Sequence, residues 1–210
     1  MAQAAAQKKC LVATERDEQE RARWREQVRG LKVSRLVFVD ECGTHTSMTR
    51  RYARAPKGER AYGSVPRNRG KNTTLITSIT IGGMGEAMAV EGSTTGEVFE
   101  TYVEHFLAPT LEEGQVVIWD NLGAHKGDKV RELVEAKGAE VLFLPAYSPG
   151  FNPIEEAFSK IKALLLLKKA AARTREALVE AIGEALCIVT AQDARGWFTH
   201  CGYEIEAQPS

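Results

Sequence analysis

Apolar and polar positions along the chain fall into blocks whose period and length predict its elements. Leu36, Val37, Phe38 and Val39 form an uninterrupted apolar run that ends in Asp40, the pattern of a central strand buried on both faces. A second strand is expected near Met48–Tyr52. Residues 72–83, NTTLITSITIGG, alternate apolar side chains with Thr and Ser, the period of a half-buried strand. Gly82, Gly83 and Gly85 supply a turn, and EAMAVEG pairs back, so three to four neighbouring antiparallel strands are expected. Ser93 or Thr95 then caps a helix, GEVFETYVEHFLAPTL, with Phe99, Tyr102, Val103, Phe106 and Leu107 on one broad apolar face and Pro109 at its end. GQVVIWD and AEVLFLP read as two further buried strands, separated by a loop and a helix that Gly138 closes. Ile154, Phe158, Ile161 and Leu165 recur at helical spacing over 153–169, and Thr174 caps a last helix, REALVEAIGEALCIV. Trp197, Phe198 and Tyr203 read as packing residues that lock the tail down. The predicted class is α/β, a mixed central sheet flanked by helices.

Ahead of the first strand, residues 14–29 read as a charged helix with one i, i+4 apolar pair, Trp24 and Val28, and the expectation is a solvated linker. The chain divides accordingly into a charged linker helix or arm (1–34), one domain (35–204) and a short tail (205–210). A chain of 210 residues is long enough for one sizeable core. No apolar run approaches the ~18 residues of a membrane span, and the N-terminus lacks the apolar stretch of a secretory signal. The expectation is a cytoplasmic, nucleoid-associated protein with no membrane partner. Cys10, Cys42, Cys187 and Cys201 are scattered with no C-x-x-C pair, which argues against a disulfide framework and a zinc site.

The 28 basic and 28 acidic residues cancel. That balance argues against a stand-alone nucleic-acid-binding module, but leaves a nuclease open, because local fields matter more than their sum. Locally the charge is uneven. Between Arg50 and Lys71 stand eight Lys or Arg and one acid, Glu59. This stretch is either a solvated loop or a phosphate-contacting one, with Arg50, Arg51, Arg54 and Arg60 the first candidates. His125, Lys126, Lys160 and Lys162 are further candidates for DNA contact.

Acids occupy telling positions. Asp40 and Asp120 each end an apolar strand, the edge of an α/β sheet where ligands bind. A third acid comes from Leu144–Phe158, LPAYSPGFNPIEEAF. Pro149 and Pro153 bracket a rigid Gly-Phe-Asn turn. Asn152 reads as an N-cap and Pro153 as the first helical residue, so Glu155 and Glu156 fall in the first turn, where the helix dipole favours a carboxylate.

VDE, then WDN, then YSPGFNPIEEAF, with 34 residues between Asp120 and Glu155, resembles the DDE transposases of the mariner-like superfamily, and within them the bacterial insertion-sequence branch. The likeness covers about Arg35 to Tyr203. It implies a ribonuclease H-like fold and a catalytic, metal-binding triad of Asp40, Asp120 and Glu155, the last being the acid directly after NPI. It further implies two Mg²⁺ ions, replaceable by Mn²⁺. The reaction implied is hydrolysis of a DNA phosphodiester followed by attack of the freed 3′-hydroxyl on target DNA, usually at TA. Double-stranded DNA (element ends and target) and a second copy in a homo-oligomer, expected as a dimer, are the implied partners. The family's helix-turn-helix region has no counterpart in the 34 residues before the first strand, so a separate chain or reading frame carrying it is expected. Gly150 stands where the family usually has Asp, and Cys42 where it usually has Thr.

Two other readings compete. One is a catalytically incomplete fragment that acts by mixed assembly. The other is a phosphatase of haloacid-dehalogenase type, suggested by VFVDECGT, in which Cys42 takes the position of the general acid.

Overall fold

The strand predicted over Leu36–Asp40 runs longer and sits at the centre of the sheet: Leu36–Thr44 (β1). On one side it pairs antiparallel with Thr73–Thr80 (β2), which pairs antiparallel with Gly83–Glu91 (β3). On the other it pairs parallel with Val116–Trp119 (β4), which pairs parallel with Glu140–Phe143 (β5). The order is β3-β2-β1-β4-β5. These relations come from a computed structural model that describes residues 13–48, 54–63, 71–120, 127–167 and 174–205. The β2–β3 turn is closed by Gly83 at φ 126°, a conformation that a side chain would disfavour.

Alternation along the strands divides the core in two. Val37 and Val39 of β1 and Val117 and Trp119 of β4 pack on Phe99 and Tyr102 of Gly96–Tyr102 (α2) and Val130 and Val134 of Asp128–Glu135 (α3). Leu36 and Phe38, with Val116 and Ile118, join the opposite cluster. There they meet Ile154, Phe158 and Ile161 of Pro153–Leu167 (α4), Leu178 and Ile182 of Arg175–Cys187 (α5), and Phe198 of Ala191–His200 (α6). Past Tyr102 the helix continues as a wider turn, Val103–Leu107, and a tight one through Pro109.

Three expectations change. β1 extends to Thr44, and the amide of Met48 turns back to donate to the carbonyl of His45 at 3.1 Å. The rest of the strand expected near Met48–Tyr52 lies outside the described residues. The tail forms a helix of its own, α6, started by a reciprocal cap between Thr190 and Asp193. The charged helix, Glu18–Arg29 (α1), is not solvated all round. One stripe of it, Arg21, Trp24 and Val28, is buried against the domain, with Trp24 only 6% exposed. The physical reason is an aromatic partner that spacing alone does not disclose: the Trp24 ring stacks on Phe151. Among the described residues, no helix is long and apolar enough to cross a membrane.

Candidate active site

Strand register delivers the first two acids. Phe38 of β1 lies opposite Ile118 of β4, and both side chains belong to the core cluster under α4. Two residues further along each parallel strand come Asp40 and Asp120. They share that face and that level, on strands spaced about 4.8 Å apart. The third acid arrives from outside the sheet. After β5, residues 144–148 lead into a tight turn, Pro149–Phe151, and α4 begins at Pro153. Ile154, Ala157, Phe158 and Ile161 bury the inner face of α4, which leaves Glu155 exposed in its first turn beside the strand ends.

Asp40, Asp120 and Glu155 line one cavity of about 440 Å³, with Leu144, Pro145, Tyr147, Pro149 and Asn152 among its walls. Among the described residues no three His, Cys, Asp or Glu side chains form a ready-made metal-holding group. Asp40 is the most constrained. Its Oδ1 accepts the amide N–H of Glu41 at 2.7 Å and its Oδ2 accepts the Asn152 Nδ2–H at 2.8 Å. Burial, with the nearby charges of Glu155 and Asp120 adding to it, pushes its carboxyl up to about 7; the Glu41 amide opposes the rise. The acids lining the cavity offer hard oxygens, the set suited to Mg²⁺ or Mn²⁺. The donor chemistry of this lining therefore suits a hard divalent cation.

The basic candidates disperse. Arg54 and Arg60 are exposed. Lys160 is tied to Asp193 at 2.6 Å, which joins α4 to α6; with the Thr190 cap, this holds the Asp193 carboxyl down to about 2. Lys162 is half-buried and lies against Cys42, two residues beyond Asp40 on the same strand. Burial nevertheless leaves the Cys42 thiol above its ordinary range, and the ammonium of Lys162 only partly offsets this. Arg50, Arg51, His125 and Lys126 lie outside the described residues.

Two residues escaped the sequence reading. Asn152 has the extended backbone of an N-cap, but its side-chain amide turns to Asp40 and its Oδ1 has no hydrogen-bond partner. Tyr147 is the one non-glycine residue at positive φ among those described, at 53°, and it stands 56% exposed on the cavity rim. A bulky residue in that conformation marks strain of the kind found at functional sites. The Pro residues at 145 and 149 were a visible hint of a forced turn, but not of its hand.

Residues 35–179 match the family model of the DDE superfamily endonucleases. No curated protein matches the chain significantly by sequence. Among solved structures, the Mos1 transposase paired-end complex with left transposon end superposes with a TM-score of 0.72 at 17% identity, covering 94% of this chain and 63% of that one. The Mos1 strand transfer complex gives 0.69 at 16% identity, with 94% and 63% covered. The Mos1 transposase catalytic domain with raltegravir and Mg gives 0.60 at 17%, with 90% and 92% covered. The chain thus spans under two thirds of the Mos1 chains in the two complexes and nearly all of the isolated catalytic domain. At these identities the likeness carries the fold, which is ribonuclease H-like. The match over 35–179 covers more than half of the sequence, and the chain belongs to the DDE superfamily endonuclease family.

Proposed function

We propose that this chain is a transposase catalytic domain that cuts a DNA phosphodiester at the end of a mobile element and joins the freed 3′-hydroxyl to target DNA. Asp40, Asp120 and Glu155 are the acids assigned to the reaction, and the catalytic unit spans 35–204. The observation that carries this reading is that Asp40 of β1, Asp120 just past the end of the adjacent parallel β4 and Glu155 of α4 line one cavity. Family membership supports it. So do the Mos1 paired-end complexes with Mn and with Mg, at 16% identity.

When bound, a pair of Mg²⁺ or Mn²⁺ ions would stabilise the attacking and leaving oxygens of an in-line displacement. The rest falls to the chain. Asp40 is held on both oxygens, so its carboxylate has a fixed bearing. Glu155 sits on a rigid helix start. In the first step water attacks phosphorus and the 3′ oxygen leaves as a hydroxyl. In the second that hydroxyl attacks a target phosphodiester and displaces another 3′ oxygen. Half-buried Lys162 and exposed Arg54 and Arg60 are the described cations assigned to DNA phosphate. Assembly is assigned to a dimer, and origin to the insertion-sequence branch.

The phosphatase alternative loses its support at Cys42, which is 2% exposed and faces the core, so no acid follows Asp40 on the cavity side. The test is Mn²⁺ titration calorimetry with nicking of supercoiled plasmid, wild type against Asp120→Asn. The expected result is cation binding and nicking that the variant loses together. Equal binding by both proteins would overturn the triad assignment.

A further inference from the structure

The loop that carries Asn152 is gripped from behind, on the side away from the cavity. Phe151 is 4% exposed. Trp24 of α1 stacks on its ring, with centroids 5.2 Å apart and planes 9° from parallel. The guanidinium groups of Arg21 and Arg25 lie over the same ring at 4.0 and 4.7 Å from its centroid. Arg21 is itself 5% exposed, a rare burial for a guanidinium, and the aromatic face and Glu18 stabilise it there. The Tyr203 hydroxyl donates to the Phe151 carbonyl at 2.7 Å. A helix ahead of the catalytic unit and a residue near that unit's far end therefore close on one residue.

The next residue is Asn152, 3% exposed, donating to Asp40. Folding alone does not account for it. An N-cap Asn ordinarily turns its oxygen to the helix amides, which stabilises the helix start. Here that oxygen is buried with no partner, which is destabilising. Two local stabilisations are forgone so that a neutral amide N–H can fix one oxygen of Asp40. A neutral donor sets the bearing of a carboxylate without competing with a cation for it.

We propose that Asn152 is the positioning residue for Asp40 and that α1, through Trp24 on Phe151, is the brace that holds Asn152 in place. The inference rests on the cation-site reading of Asp40, Asp120 and Glu155. Neither Trp24 nor Phe151 touches Asp40; their effect passes through the Asn152 amide. The helix read from sequence as a solvated linker becomes a component of the site.

The test is Mn²⁺ affinity by calorimetry on the full chain, well below every variant's unfolding midpoint, with midpoints measured alongside. Asn152→Ala is expected to weaken binding by roughly 10- to 100-fold, the range for residues that orient a ligand. Trp24→Ala is expected to weaken it about tenfold, and Trp24→Phe to restore it. In the Asn152→Ala background, Trp24→Ala should cost nothing more, because the brace has lost what it acts through. Tyr203→Phe removes only the hydrogen bond to the Phe151 carbonyl and serves where Trp24→Ala does not fold; it should weaken binding severalfold. A merely structural role predicts lower midpoints with unchanged Mn²⁺ affinity, and that result overturns the brace. Fully additive losses in the double variant overturn it as well. If the wild type binds no Mn²⁺, or Asp120→Asn binds equally well, the cation site itself falls and the brace with it. Loss in Asp120→Asn with wild-type affinity in the other variants rejects the brace alone.

Discussion

The two faces of the sheet begin alike and end differently. On the α2–α3 side, β1 and β4 present Val37, Val39, Val117 and Trp119 to an apolar layer. On the α4 side the same strands begin with Leu36, Phe38, Val116 and Ile118, then run out into Asp40 and Asp120. One face is finished by packing. The other is left with a cavity where apolar burial stops. The difference shows that one face of a strand can serve stability on either side of a residue kept for chemistry, since Cys42 returns to the core beyond Asp40.

The largest effect that would break this contrast is chemical. Asp120→Asn should lower metal-dependent plasmid nicking on the order of a thousandfold while leaving the unfolding midpoint near wild type. On the closed face the reverse is expected. Phe99 is fully buried, and Phe99→Ala should cost about 3–5 kcal/mol in urea denaturation, with unchanged Mn²⁺ affinity in the protein that remains folded.

Asp40 sharpens the comparison, because its site opposes stability. Its carboxyl is raised from 3.8 to about 7 in the folded protein, so the folded state holds the proton more tightly than the unfolded one. The stability linked to that proton is full below about pH 4 and is lost as pH rises through about 7. Asp40→Asn should therefore stabilise the cation-free protein at pH 8, by up to roughly 4 kcal/mol, and do little at acid pH. Thermal melts at both values check this. The smallest effect belongs to Lys160. Its partly exposed pair with Asp193 predicts that Lys160→Gln costs under about 1 kcal/mol, leaving DNA affinity in a filter-binding assay unchanged.

Most of the fold could be read from period and punctuation. The apolar runs of β1, β4 and β5, the alternation of β2, the Gly83 turn and the Thr95 and Thr174 caps all stand in the sequence as local signals. The position of Asp120 directly after β4 was equally local, whereas Asp40, expected to end β1, lies in the middle of it. α6 was missed: Thr190 and Asp193 have the spacing of a reciprocal cap, but its partly polar surface concealed the helical period. What could not be read was long-range. Trp24 has one apolar neighbour on its own helix, and its true partner lies 127 positions away at Phe151. Asn152 looked complete as a cap, and nothing nearby in sequence points to Asp40, which is 112 residues distant. The strained Tyr147 has the same character, since the hand of a turn between two prolines is decided by what surrounds it.

The parallel pairing of β1 with β4 also governs which insertions and deletions this domain would survive. Lengthening a loop between the acids changes the 34-residue interval and leaves both strand tips where they are. One residue inserted inside β4, between Ile118 and Asp120, would turn Asp120 to the opposite face. Two would restore the face but carry the acid about 6.6 Å along the strand. Length drift among descendants of this chain should therefore collect in its loops, while the four residues of β4 stay uninterrupted.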